Sequence, residues 1–516
     1  MRKFWIRWLG IILILGINSS HLSAQTPQQE SQTLPPVEST LVAPVPTEAQ
    51  IHDDGHAEST HEGEKHAAVE EHDSPNPFSI IPFVILLVLI AAGPVFFPHF
   101  WHHYYKFIAP GLGLITLLYY LIGLHNPHEP AHALAEYVSF IALLAPLYIA
   151  SGGILLQIDR EGTPLANVSL LLIGAAISNI IGTTGASMLL IRPFIRLNRD
   201  RLKPYHVIFF IFMVSNIGGS LTPVGDPPLF LGFLKGVPFS WTFNYILPEW
   251  IFALSILALI FFIVDRRNAT DLDKVESIYS GKIKITGTRN FFWLAVIVGA
   301  VFLDPNVIEW VPAITYHGTK FSFLRELIQL SAGAGSYFLA DKRALRGNEF
   351  TFEPIGEVVY LFAGIFFAMM PALQLIGEFA SSDTGRSFFT VNSMYWITGS
   401  LSGFLDNAPT YVNFLSASLA KFDLSVSNIA DVQAFAAGSS PAGPITQSYL
   451  KAISVAAVFF GALTYIGNGP NFMVKAIAEE RGVEMPSFFG YILKYSIVIL
   501  LPVLLLTWLI FFVWLG

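Results

Sequence analysis

The chain has 516 residues, of which 53% are hydrophobic and only 13% charged, and its mean hydropathy is +0.56. Soluble domains carry about 25% charged residues, so a deficit held over this length excludes an ordinary soluble enzyme. The formal net charge is −8 and cysteine is absent, which removes disulfides, thiolate zinc sites and cysteine nucleophiles.

The first 24 residues have a signal-peptide layout: Arg2, Lys3 and Arg7, then an apolar run over 9–16, then Ser23-Ala24, with cleavage expected after Ala24. Residues 25–77 hold eleven carboxylates against one lysine, Lys65, and are rich in Pro, Gln, Ser and Thr. Such a segment cannot bury enough apolar surface to offset its chain entropy. It reads as a disordered acidic tether on the outer side of the membrane, expected to be periplasmic. Its histidines, His52, His56, His61, His66 and His72, offer a weak zinc or copper tract. Their spacing is irregular and nothing ordered would hold them, so a solvated linker is the simpler reading. The rest of the chain is close to neutral, and nothing in it points to a nucleic-acid partner.

From residue 78 onward apolar runs recur, each long enough to cross a bilayer as a helix. The expected fold class is an all-α polytopic membrane protein. Spans are predicted near 79–98, 107–124 and 136–158. The next apolar stretch, 165–191, is followed by Arg192, Arg196, Arg199, Arg201 and Lys203, a strong positive-inside signal. The sides agree only if 165–191 enters and returns as a re-entrant hairpin with its tip at Asn179 to Gly185. Irregular backbone at membrane depth is tolerated only inside protein or beside a water-filled cavity. Spans near 205–233 and 243–264 then lead to a basic cytoplasmic loop over 266–289. The second half repeats the plan: 290–310, 323–340, 355–379, a second hairpin over 390–420 broken at Asp406-Asn407-Ala408-Pro409, then 448–478 and 488–514. Each half, 78–265 and 290–516, is therefore about five spans plus a hairpin, in opposite orientation. An inverted repeat is the common construction of secondary transporters.

The letters repeat as well. Gly219-Ser-Leu-Thr222-Pro-Val-Gly225-Asp226-Pro-Pro-Leu-Phe230 aligns with Gly461-Ala-Leu-Thr464-Tyr-Ile-Gly467-Asn468-Gly-Pro-Asn471-Phe472, with six of twelve positions identical. Gly and Pro interrupt a helix and leave orphan carbonyls and amides near the bilayer middle. With Asn, Thr and Asp oxygens these can hold a cation, while half-helix N-termini attract anions. The candidate ion- or substrate-binding residues are Asn179, Thr183, Thr184, Thr222, Gly225, Asp226, Asp406, Asn407, Thr410, Thr464, Gly467, Asn468 and Asn471.

At these motifs the sequence resembles the ion transporter superfamily, which includes citrate and dicarboxylate carriers, arsenite carriers and NhaD-type sodium/proton antiporters. Ser178-Asn179 is similar to the start of the Ser-Asn-Thr motif of dicarboxylate carriers, with Ile180 in place of the Thr. Leu405-Asp406-Asn407-Ala408-Pro409 and Thr222-Pro223-Val224-Gly225-Asp226 resemble the Leu-Asp-Asn-x-Pro and Thr-Pro-Ile-Gly-Asp elements of the NhaD type. The resemblance covers about residues 79–516 and implies a homodimer in the bacterial inner membrane, each protomer with its own site between two hairpins.

A buried carboxylate is costly unless paired or protonated, and one stable either with a proton or with sodium suits a cation/proton exchanger. The expected function is thus sodium(cation)/proton antiport, with sodium and protons as the transported ions and no cofactor. Asp406 is the stronger proton-carrying candidate, because Asn407 and Thr410 lie beside it. Sodium- or proton-coupled citrate or dicarboxylate transport is the alternative. An intramembrane metalloenzyme is the remote one: His99, His102 and His103 form one cluster, and His125, His128 and His132 another. The 18 residues between them span about 27 Å as helix, so the clusters cannot share one metal. Among other polar groups, Glu249 and Glu357 are expected to snorkel or face an interface near span ends, Glu326 and Gln329 to form an i, i+3 packing pair, and His206 to lie at an interface.

Overall fold

The computed structural model describes residues 74–515 except 159, 161, 270–281, 304–307, 309 and 317–318. The expected signal peptide, the tether up to residue 73 with its five histidines, and the middle of the loop expected over 266–289 lie outside the described residues. Among the described residues eight helices are long and apolar enough to cross a membrane, and a bent pair makes a ninth. The molecule is an all-α polytopic membrane protein. A four-residue strand pair, β1 (Leu155–Ile158) against β2 (Ile283–Thr286), runs antiparallel with Leu155 opposite Thr286 and Ile158 opposite Ile283.

The first half opens with α1 (Ile81–Phe96), α2 (Pro98–Leu118, continued to Gly123) and α3 (His128–Gly152). Helix α2 starts nine residues earlier than the apolar run, because Pro98 at its first turn and the amphipathic stretch to Lys106 extend the helix past the apolar core.

The helical run α4 (Pro164–Leu197) is the expected hairpin. Gly182 sits at φ 77°, ψ 155°, a conformation that L side chains rarely adopt, and this single residue turns the chain back. The return is visible in two contacts. A Cβ built on Gly174 would lie 3.0 Å from the Leu190 side chain. The side-chain amides of Asn167 and Asn198, at the two ends of the run, donate to each other's oxygens at 2.7 and 2.8 Å. A straight helix would hold those ends about 46 Å apart.

The span expected over 205–233 is broken. Helix α5 (Pro204–Met213) gives way to a 3₁₀ turn over Ile217–Leu221 and an extended Thr222, and α6 (Pro227–Lys235) restarts after Asp226. Helix α7 (Trp241–Ala269) closes the half.

The second half follows with α8 (Arg289–Ala300) and α9 (Leu324–Phe338). The span expected over 355–379 is a pair, α10 (Glu353–Ala368) and α11 (Met370–Ser381), bent by 45° where Pro371 opens the second helix. The second hairpin is α12 (Val391–Phe404) and α13 (Asn407–Ala420). The broken span is α14 (Ile445–Phe460), a 3₁₀ turn over Gly461–Leu463, and α15 (Gly469–Glu480). The last helix is α16 (Phe488–Trp514).

Helix α7 measures the orientation of the two hairpins. Near its C-terminus, Asp265 accepts from Asn167 at the base of the first hairpin at 2.9 Å. Near its N-terminus, Trp241 donates to the Ala436 carbonyl and the Tyr245 hydroxyl accepts from Gln447. Two residues on from Gln447, Tyr449 donates to the Phe389 carbonyl and its ring packs 5.2 Å from Phe422. Phe389 and Phe422 flank the two ends of the second hairpin, so its base lies at the opposite end of α7, about 36 Å away along the helix. The hairpins point toward each other from opposite ends.

Candidate functional site

The tips of both hairpins and the breaks of both spans meet at Asp226. Asp226 precedes α6, with Pro227 and Pro228 in the first turn, so the chain arrives extended and the carboxylate faces inward. It is 1% exposed. Its Oδ1 accepts from Thr183 Oγ1 at 2.8 Å, from the first hairpin tip, and from Asn468 Nδ2 at 3.0 Å, from the second break. Its Oδ2 accepts from Asn407 Nδ2 at 2.7 Å, from the second hairpin tip. All three donors are neutral. Asn407 Oδ1 is buried and has no hydrogen-bond partner among the described residues.

Around this carboxylate the two repeats make the same bonds. Thr222 donates to the Asn179 carbonyl at 2.6 Å, and Thr464 to the Gly403 carbonyl at 2.6 Å. Gly225 N–H and Gly467 N–H donate back to those threonine hydroxyls, each at 3.1 Å. Ser178 bonds the Val214 carbonyl as Ser402 bonds the Ala457 carbonyl. A Cβ on Gly225 would fall 2.0 Å from the Gly219 carbonyl oxygen, and one on Gly467 2.6 Å from that of Gly461. These glycines let each break fold onto itself.

The remaining predicted residues divide by role. Asn179 ties the first tip down, with Nδ2 donating to Gly218 O at 2.6 Å and Oδ1 accepting from Leu221 N–H at 2.8 Å. Thr183 N–H also donates to the Gly225 carbonyl. Thr184 is half-buried beside it. Asn471 holds the second break, donating to the carbonyls of Gly461 and Thr464, while its Oδ1 accepts from Asn216. Asp406 is half-buried and shares no hydrogen bond with Asp226, Thr183, Asn407 or Asn468. Its Oδ1 caps α13 by accepting from Ala408 N–H at 3.0 Å, and Thr410 bonds back to its carbonyl. Asp406 does not join Asn407 as a ligand group, because capping aims its carboxylate at its own helix while Asn407 turns to Asp226.

Two expectations on other polar groups meet a different geometry, and the Glu326–Gln329 pair bonds to separate neighbours. Glu249 is fully buried rather than snorkelling at a span end, with Lys451 Nζ of α14 at 3.0 Å. His206 is fully buried rather than interfacial, its Nε2 3.0 Å from Asp265 Oδ1. Asp265 also accepts from Tyr205, Asn167 and Arg201. Glu326 accepts from Ser139 and Arg325 across to α3, while Gln329 donates to the Ile297 carbonyl, so the two serve different neighbours. Burial won in each case because each group lies on the packed face of its helix, and each charge gained a partner from a segment distant in the chain. Sequence reasoning also missed Asn216, which donates to Asn471 and accepts from Asn468 between the breaks. An asparagine ten residues before Asp226 in an apolar run was the available signal.

Opposed hairpins meeting two broken helices around one buried carboxylate define a membrane transporter class. Over residues 73–512 the chain matches the family described as "Putative citrate transport", and it belongs to that family. It is 26% identical over 374 residues to an uncharacterized transporter of Mycobacterium tuberculosis, covering 68% of this chain and 79% of that protein. It is 25% identical over 345 residues to a 46 kDa membrane protein of Mycobacterium leprae, covering 65% and 74%. The citrate-transporter side of the resemblance drawn from the motifs is thereby shown, and the chain is a transporter rather than a member of an enzyme family.

Proposed function

We propose that the protein is a cation/proton antiporter of the inner membrane, with Asp226 as the group that exchanges a proton for sodium. The observation carrying this reading is the company Asp226 keeps: a fully buried carboxylate whose three partners, Thr183, Asn407 and Asn468, are all neutral. Burying an unpaired carboxylate costs several kcal/mol, and a proton or a bound cation each relieves that cost. The two occupants therefore compete for one place, which is what obligatory exchange requires. Asn407 Oδ1, buried without a hydrogen-bond partner, supplies a further neutral oxygen beside the carboxylate. This moves the proton-carrying role from Asp406, where the motif alone placed it, to Asp226.

Sodium- or proton-coupled transport of citrate or a dicarboxylate is the second reading, favoured by the family description. A carboxylate substrate would meet the Asp226 carboxylate with no arginine or lysine among that residue's partners. Flux in inverted vesicles separates the two. Antiport predicts that sodium or lithium releases protons and that citrate does not move. Citrate uptake without sodium-driven proton release would replace antiport by the second reading.

A further inference from the structure

The cluster of His125, His128 and His132 cannot share a metal with the histidines around residue 100. Taken alone it holds a motif that sequence reasoning overlooked. His128-Glu129-Pro130-Ala131-His132 has the His-Glu-x-x-His spacing, which puts both imidazoles on one face of a helix.

The helix is real and its start is fixed. Helix α3 begins at His128, and buried Asn126 caps it, its Oδ1 accepting from His128 N–H at 3.0 Å and Glu129 N–H at 3.4 Å. Pro127 and Pro130 restrict the first turn. His128 Nε2 and His132 Nε2 face each other at 3.1 Å, with ring centroids 4.4 Å apart and planes at 60°. Both side chains are half-buried.

That separation is informative. Two imidazole nitrogens each about 2.0–2.1 Å from one zinc-class ion, at 90–109°, lie about 2.9–3.4 Å from each other. The pair is already at ligand spacing, and ligation through both Nε2 atoms requires the donating ring to carry its proton on its own Nδ1 instead.

We infer that His128 and His132 form a binding site for a borderline divalent transition ion of the zinc class at the start of α3, completed by water. Two imidazoles on a rigid helix predict micromolar rather than structural-zinc affinity. The site is separate from the Asp226 cluster and does not depend on the transported substrate.

The test uses the full chain with the five tether histidines changed to Asn, so that the tether does not mask the signal. Zinc chloride titrated calorimetrically into this protein in detergent should report one site per chain. His128→Gln and His132→Gln, made singly, should each weaken it at least about tenfold, a change of ~1.4 kcal/mol. Copper(II) in place of zinc should show two coordinated imidazoles by electron spin-echo modulation, falling to one in either variant. Thermal unfolding without metal tracks folding separately. Unchanged zinc affinity in both variants, with both folded, would overturn the site and leave a hydrogen-bonded histidine pair.

Discussion

The two hairpins share a plan but are fastened differently. The first is closed at its base by a buried network, in which Asp265 accepts from Asn167, Arg201, Tyr205 and His206 while Asn167 and Asn198 exchange side-chain bonds. The second is closed at its base by Arg386 with Asp423 and by Lys421 on the Arg386 carbonyl, a cluster whose carboxylate is 70% exposed. Buried charge networks are expensive to break and define one geometry, whereas exposed ion pairs are worth about 0–1 kcal/mol. The comparison teaches that the repeat conserves the tips, where both halves reach Asp226, and not the anchors. The first base is thus held by buried charge and the second by an exposed ion pair.

The sharpest way to break this comparison is at the shared tip. Asp226→Asn keeps size and an oxygen but removes titration, and proton-coupled flux should fall below about one tenth of wild type, a barrier change of ~1.4 kcal/mol or more. Normal pH-dependent exchange in a correctly inserted mutant would remove Asp226 from the mechanism. At the anchors, Asp265→Ala leaves Arg201 and His206 facing a void and should cost about 3–5 kcal/mol, read as a clear drop in the thermal unfolding temperature in detergent. Asp423→Ala should cost no more than about 1 kcal/mol. Equal losses would erase the distinction between the two anchors.

Opposite insertion can be tested in this cysteine-free chain. Single cysteines at Arg196 and Asp423, at the bases of the first and second hairpin, should label from opposite faces of the membrane. Labelling from the same face would end the inverted arrangement. A smaller effect is expected at Asp406. Asparagine caps helices as well as aspartate does, so Asp406→Asn should hold flux within about twofold of wild type. A loss as deep as that of Asp226→Asn would restore Asp406 as the proton carrier. Least of all should follow from deleting residues 25–73 behind an intact signal, since an acidic tether brings no geometry to the Asp226 cluster. Flux should be unchanged, and its complete loss would give the tether a part in transport.

Much of this was legible in the chain. Apolar length marks spans because a bilayer of fixed thickness needs about 20 residues of helix. Arg192 through Lys203 forced the first hairpin, because positive charge stays on one side. The aligned run from Gly219 and Gly461 located both breaks, because Gly and Pro interrupt helices wherever they stand. Those are local or one-dimensional properties, and a sequence carries them directly. What the tertiary structure alone decided is which polar groups meet. The letters favour Asp406, yet Asp226 gathers Thr183, Asn407 and Asn468 from three distant segments while Asp406 caps its own helix. Glu249 and His206 looked interfacial until Lys451 and Asp265 came to them across helix contacts. The partner of a buried charge comes from chain 43 to 242 residues away at Asp226, and only the packing of the whole molecule fixes which side chain arrives.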